Sequence, residues 1–157
     1  MKKIAVIYYS KTGNTEKMAD YICEGVSQCD GIEVKKFNVE EISERELLEY
    51  DGIIIGSPTY YGSMAWQIKK LIDDSVAFHG QLSGKVGAAF SSAANIGGGN
   101  ETTVIGILNA MMIHGMIIPG FHKGDHYGIV SIGKPDDRVE RQCRNLGGKV
   151  AELVNKL

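Results

Sequence analysis

Apolar β-branched runs alternate with helically spaced apolar positions along the whole chain. Ile4-Ala5-Val6-Ile7-Tyr8-Tyr9 reads as a first strand, and Met18, Ala19, Ile22 and Val26 then recur on one helical face until Gly31 breaks the pattern. A second strand is expected at Ile32–Val39, an acidic short helix at Glu40–Tyr50, and a buried third strand at Gly52-Ile53-Ile54-Ile55-Gly56. Trp66, Ile68, Leu71, Ile72 and Val76 mark the next helix, and Lys85–Phe90 a fourth strand. Val104, Ile105, Leu108, Met111 and Met112 line another helix before a fifth strand at Met116-Ile117-Ile118. A short strand at Ile129–Ile132 precedes Pro135. In the terminal helix Val139, Cys143, Leu146, Val150, Leu153 and Leu157 step by 4, 3, 4, 3 and 4. Strands apolar on both faces and separated by helices predict an α/β fold: a doubly wound five-stranded parallel sheet, order 2-1-3-4-5, with helices on both faces.

No linker, repeat or low-complexity segment divides the 157 residues, so they read as one domain. With Lys+Arg 17 against Asp+Glu 19 the net charge is −2, which gives no electrostatic case for nucleic acid or an anionic membrane as a partner. No apolar run has membrane-helix length, and Met-Lys-Lys-Ile-Ala-Val-Ile is too short in its apolar part for a signal peptide. Cys23, Cys29 and Cys143 are odd in number, with no C-x-x-C pair. Free thiols fit a reducing compartment, so a cytoplasmic location is expected.

In an open parallel sheet, ligands bind outside the carboxyl ends of the strands. Three segments there are unusual. Ser10-Lys11-Thr12-Gly13-Asn14-Thr15 offers hydroxyls, an amide and a glycine backbone at a helix N-terminus, the chemistry of a phosphate cradle. Ser, Thr and Asn also cap helices, but one cap needs one such residue and four share these six positions. In Ser57-Pro58-Thr59-Tyr60-Tyr61-Gly62, two aromatics sit at the mouth, where they could stack on a flat ligand or cover a turn shaped by Pro58 and Gly62. Ser91-Ser92-Ala93-Ala94-Asn95-Ile96-Gly97-Gly98-Gly99-Asn100 lets backbone N–H groups approach a ligand, or forms a flexible loop. Together they suit an elongated ligand with a phosphate at one end and a polar-edged ring at the other, the shape of flavin mononucleotide (FMN). The P-loop and dinucleotide glycine patterns are absent, and Ser and Thr stand where a receiver domain needs carboxylates.

Ser10-x-Thr12-Gly13-Asn14-Thr15 resembles the flavodoxin signature [ST]-x-T-G-x-T. Four further segments resemble the tryptophan-repressor-binding-protein type of FMN-dependent NAD(P)H:quinone oxidoreductase: Pro58–Met64, Phe90-Ser91-Ser92 with Gly97–Thr102, His114-Gly115-Met116, and Gly124-Asp125-His126-Tyr127-Gly128. The resemblance implies a single flavodoxin-like FMN-binding domain over 1–157. Ser10, Lys11, Thr12, Gly13, Asn14 and Thr15 would hold the phosphate. Pro58, Thr59, Tyr60, Tyr61 and Gly62, with Ser91, Ser92, Ala93, Asn95, Ile96, Gly97, Gly98 and Gly99, would flank the ring.

His114 would lie beside the flavin and Phe78 cover the substrate pocket, so His114, Tyr61 and Phe78 are the expected active-site wall, with a minor role for His126 or Tyr127. The segments between Val39 and Asp51 and around Phe78–Gly80 are shorter than in the family, where they help build a tetramer and the pocket. The resemblance implies a homodimer or homotetramer. His114, next to Gly115 at a helix end, has a capping role as its alternative. His122 and His126 flank Asp125, but Gly124 argues against the helix that would join them at a metal, and no metal site is expected. Met111, Met112, Met116 and Trp66 read as packing.

The expected function is two-electron transfer from NAD(P)H, a transient reductant, through FMN to a quinone-like small-molecule acceptor. The alternative is a flavodoxin-type single-electron carrier between protein partners; net charge −2 lacks the strongly negative docking surface of classical flavodoxins. A regulatory protein that only keeps the fold is the third reading.

Overall fold

The computed structural model describes residues 1–157. Its sheet comprises β1 (Lys2–Tyr8), β2 (Ile32–Asn38), β3 (Gly52–Tyr60), β4 (Ser63–Met64), β5 (Val86–Ala93) and β6 (Ile129–Ile132). The helices are α1 (Asn14–Ser27), α2 (Trp66–Asp74), α3 (Asn100–Ile113) and α4 (Asp137–Lys156). The strand order is β2-β1-β3-β5-β6, all parallel, with β4 folding back antiparallel on the end of β3. Setting aside two-residue β4, this is the 2-1-3-4-5 order with helices on both faces.

The period-two geometry of a strand divides the core in two. Ile4, Val6, Tyr8, Ile54, Ala88 and Phe90 face α1 and α4, whereas Ala5, Ile7, Ile53, Ile55 and Ala89 face α2 and α3. α1 and α4 cross so closely that backbones meet. A Cβ on Gly25 would lie 2.1 Å from the Arg144 carbonyl oxygen, and one on Gly147 2.2 Å from that of Ile22. Arg144 fastens the same crossing by donating from Nε to Glu24 Oε2 at 2.8 Å. Asp136 caps α4 by accepting from the Val139 N–H at 2.9 Å.

Three expectations need correction. The segment Met116–Ile118 is not the fifth strand: Ile117 makes a single bridge to Val86, because Pro119 has no N–H to continue the ladder. The chain leaves the edge and returns as β6 beside Phe90–Ala93, and β6 is the fifth parallel strand. The excursion is pinned by Asp125, which accepts from the Val130 N–H at 2.9 Å and takes both Arg138 Nη1 contacts at 2.9 Å. The acidic segment is two 3-10 turns, Val39–Glu41 and Glu44–Glu49, because Ser43 with Glu46 starts a new capping box after Ile42. Finally, β3 and β5 run on through Tyr60 and Ala93, so their last residues are strand and not loop.

Gly25→Ala should lower the thermal midpoint by roughly 3–10 °C, since overpacking costs about 1–3 kcal/mol. Gly148→Ala, whose nearest neighbour would be Gly25 O at an ordinary 3.8 Å, should be neutral or stabilising by calorimetry.

Candidate functional site

At the carboxyl edge β1 gives way to α1 through Gly13, whose φ of 95° and ψ of −9° are left-handed. A Cβ would be strained there. The Gly13 N–H donates to Ser10 Oγ at 3.0 Å, turning the chain, and its carbonyl accepts from the Lys17 N–H at 3.0 Å. No side chain caps α1, so the N–H groups of its first turn are free to face an anion. Lys11, Thr12 and Gly13 are exposed at this turn, while Thr15 is buried with Oγ1 2.9 Å from Ser92 Oγ, tying the cradle to β5. These are the features that a phosphate group requires.

A hydroxyl relay lies under the mouth. Ser91, fully buried, donates to the Ser57 carbonyl at 2.8 Å; its only hydrogen is then spent, so Thr59 Oγ1, 3.0 Å away, donates to Ser91, and Thr103 Oγ1 donates to Thr59 at 3.2 Å. Ser57 Oγ accepts from the Ala65 N–H at 2.8 Å, where α2 starts. The hairpin between β3 and β4 has a two-residue turn, Tyr61-Gly62, with φ of 50° and 74°. Tyr61 is the only non-glycine residue with positive φ, and its side chain is fully exposed. Gly99 presses against this turn: a Cβ there would fall 2.5 Å from Gly62 Cα. Gly99, with φ of 100°, starts α3 and, like Gly13, brings no side-chain cap. Between them Asn95 accepts from the Gly98 N–H at 3.1 Å, leaving Ile96 and Gly97 exposed.

Ser10–Thr15, Pro58–Gly62 and Ser91–Gly99 therefore meet at one edge. His114 and Phe78 do not join them. α3 begins at the mouth and runs 14 residues away, about 20 Å at 1.5 Å per residue, so His114 lies at the amino edge, where the Gly115 carbonyl accepts from the Gly84 N–H. Phe78, in the 3-10 turn Ser75–Phe78 that follows α2, is at the same far edge. The expected wall of His114, Tyr61 and Phe78 is thus not assembled within one chain.

His114 terminates α3, but its ring caps no carbonyl as the alternative expected: Nε2 meets Ser75 and Nδ1 has no partner. Ser75 Oγ gives its hydrogen to the Ile72 carbonyl at 2.6 Å, so His114 Nε2, 2.8 Å away, is the donor of their bond. Burial, and then the His79 ring 5.8 Å away, hold the imidazole below its usual pKa. His126 Nδ1 lies 2.7 Å from the Phe121 carbonyl oxygen, and no three His, Cys, Asp or Glu side chains converge as a metal site would need. Burial pushes Cys143 far up, Cys23 to about 11 and Cys29 upward, which disfavours the nucleophilic thiolate at each. Thr103 is the polar residue that sequence reasoning missed, while Ser57 and Thr102 stood in segments named above without a role of their own. The signal available was a Thr pair in the first turn after Gly99.

An uncapped helix N-terminus open to an anion, beside a hydroxyl-floored, glycine-rimmed mouth on a 2-1-3-4-5 sheet, defines a flavodoxin-like α/β protein. Residues 6–102 match the Flavodoxin family model. The chain is 40% identical to a flavodoxin of Clostridium saccharobutylicum, each covered to 99%, and that alignment runs over 160 positions. It is 35% identical to an NAD(P)H dehydrogenase (quinone) of Archaeoglobus fulgidus, both fully covered, but over 191 positions. Its structure superposes on that of a flavodoxin, WrbA-like protein from Agrobacterium tumefaciens with TM-score 0.83 and 25% identity over 99% of each chain. The chain belongs to the flavodoxin family, whose cofactor is FMN. No helix is long and apolar enough to cross a membrane.

Tyr8, the last residue of β1, donates from its hydroxyl to Glu16 Oε1 at 2.9 Å; burial, then this bond, push its pKa to about 12. A phenol titrating near 10 when unfolded and near 12 when folded stabilises below pH 10, and the contribution is lost as pH rises through that interval. Tyr8→Phe should therefore lose less stability than wild type between pH 10 and 12, read as thermal midpoint against pH; parallel curves would contradict it.

Proposed function

We propose that the protein binds FMN at the carboxyl edge and works as an electron-transfer flavoprotein of the flavodoxin type, exchanging single electrons with protein partners. The first-turn N–H groups at Asn14 and Thr15, with Ser10, Thr12 and the Lys11 cation, hold the phosphate. Pro58–Gly62 and Ser91–Gly99 flank the ring, and Gly97 and Gly99 direct backbone N–H groups at its polar rim. FMN supplies the redox chemistry when bound; the chain positions it, excludes water beneath it through the Ser57–Ser91 floor, and presents its outer edge.

The observation that carries this reading over a small-molecule reductase is the open mouth. Its outer rim is an exposed hairpin turn at Tyr61-Gly62, and the side chains expected to wall in a small acceptor, His114 and Phe78, lie at the opposite edge. The lengths agree: 157 residues align with the clostridial flavodoxin over 160 positions, whereas the quinone dehydrogenase alignment needs 191.

The second reading, two-electron transfer from NAD(P)H through FMN to a quinone, is favoured by 35% identity to that dehydrogenase across the whole chain and by a net charge of only −2. In that case a homodimer or homotetramer supplies the missing wall.

The test is the visible spectrum of the FMN-loaded protein under anaerobic conditions. The flavin band should persist when NADH or NADPH is added and bleach with dithionite. Prompt bleaching by either nucleotide, reversed by benzoquinone, would replace the carrier with the reductase.

A further inference from the structure

The two threonines that follow Gly99 have hydroxyls that each stand between two acceptors, one on their own loop and one on the hairpin. Thr102 Oγ1 is 2.7 Å from the Gly62 carbonyl oxygen and 2.8 Å from that of Gly99. Thr103 Oγ1 is 3.2 Å from Thr59 Oγ1 and 2.9 Å from Gly99 O. A hydroxyl has one hydrogen, so each can serve only one acceptor at a time. Gly99 O already accepts from the Thr103 N–H at 3.0 Å, whereas Thr102 is the sole donor to Gly62 O. The Thr102 hydrogen therefore belongs on Gly62 O, and the Thr103 hydrogen completes the relay to Ser57.

What the clasp restrains is strained. The Tyr61-Gly62 turn has positive φ at both residues, and for tyrosine that conformation costs free energy which surrounding contacts must offset. β4, two residues long, pairs only with β3 and cannot fix the turn by itself. The close approach of Gly62 to Gly99 brings the loops together but gives no direction; the Thr102 bond points the Gly62 peptide.

We infer that Thr102 is a positioning residue: its hydroxyl clasps the Gly62 carbonyl and holds the Tyr61-Gly62 turn against the Gly99 loop, so that both walls of the ring site move as one. The consequence for FMN rests on the site proposed above, whereas the clasp itself does not. Release of one hydroxyl frees the Gly62 carbonyl and lets the turn relax, changing the seating of the ring without disturbing the core.

The test uses full-length wild type, Thr102→Val and Thr102→Ser. Thr102 is exposed, so all three should share one thermal midpoint within about 2 °C. Without FMN, amide hydrogen exchange in the segment 60–64 should be about fivefold faster in Thr102→Val than in wild type, and restored in Thr102→Ser. With FMN, Thr102→Val should release the cofactor about fivefold faster and shift its midpoint potential, with serine again restoring both. Exchange unchanged in Thr102→Val overturns the clasp. Faster exchange with unchanged FMN release and potential overturns its role in seating the ring. Failure of wild type to bind FMN overturns the proposed site, while the exchange comparison still decides the clasp.

Discussion

A parallel sheet sealed by helices on both faces leaves its two edges as the places where backbone polar groups go unpaired. At the carboxyl edge of this molecule, α1 and α3 both begin at left-handed glycines, Gly13 and Gly99, and neither receives a side-chain cap. A side chain at Gly99 would strike the Gly62 backbone and part the two loops. The N–H groups left free in the first turn of α1, and those of α3 other than the Glu101 N–H that donates to Asn100 Oδ1, make this edge attractive to an anion and to a ring with carbonyl acceptors.

The core prepares that edge within one register step. Phe90 of β5 fills the space over Gly56 of β3, where any side chain would collide with its ring at 2.1 Å. At the next paired position, Ser57 faces Ser91, and the surface changes from hydrocarbon to hydroxyl. Each hydroxyl there has a named partner, so the floor is polar without unsatisfied donors. The crossing of α1 and α4 at Gly25 and Gly147 keeps α1, and so the cradle, fixed on its face of the sheet.

Whereas β2, at the sheet's edge with Lys35 and Lys36 exposed, was legible from its β-branched residues after the Gly31 break, periodicity made the four helices and the strands β1, β3 and β5 legible, because burial on both faces produces unbroken apolar runs. It failed at Met116–Ile118, where hydropathy says strand but Pro119 withdraws the donor, and the pairing passes to Ile129–Ile132. The three segments at the mouth were legible because their small and hydroxylated residues fit neither a helix face nor a core. His114 and Phe78 were placed by resemblance alone, although in a parallel α/β sheet a residue that ends a connecting helix lies at the amino edge, away from the mouth. The hairpin at Tyr61-Gly62 was hidden for another reason: turns of this kind ordinarily call for Asn or Gly at the first position, not tyrosine. Thr103 fell outside the segments singled out, and Thr102 entered only through the resemblance, although their hydroxyls join two of those segments.

The phosphate cradle is the claim on which the functional account stands, and equilibrium binding of FMN and of riboflavin to the apoprotein tests it most directly. The two share a ring and differ in the phosphate that the first turn of α1 is held to receive. FMN should bind at least roughly a hundredfold more tightly, as two or more charge-assisted hydrogen bonds imply. Equal affinity for the two would contradict the cradle and remove the basis for the site.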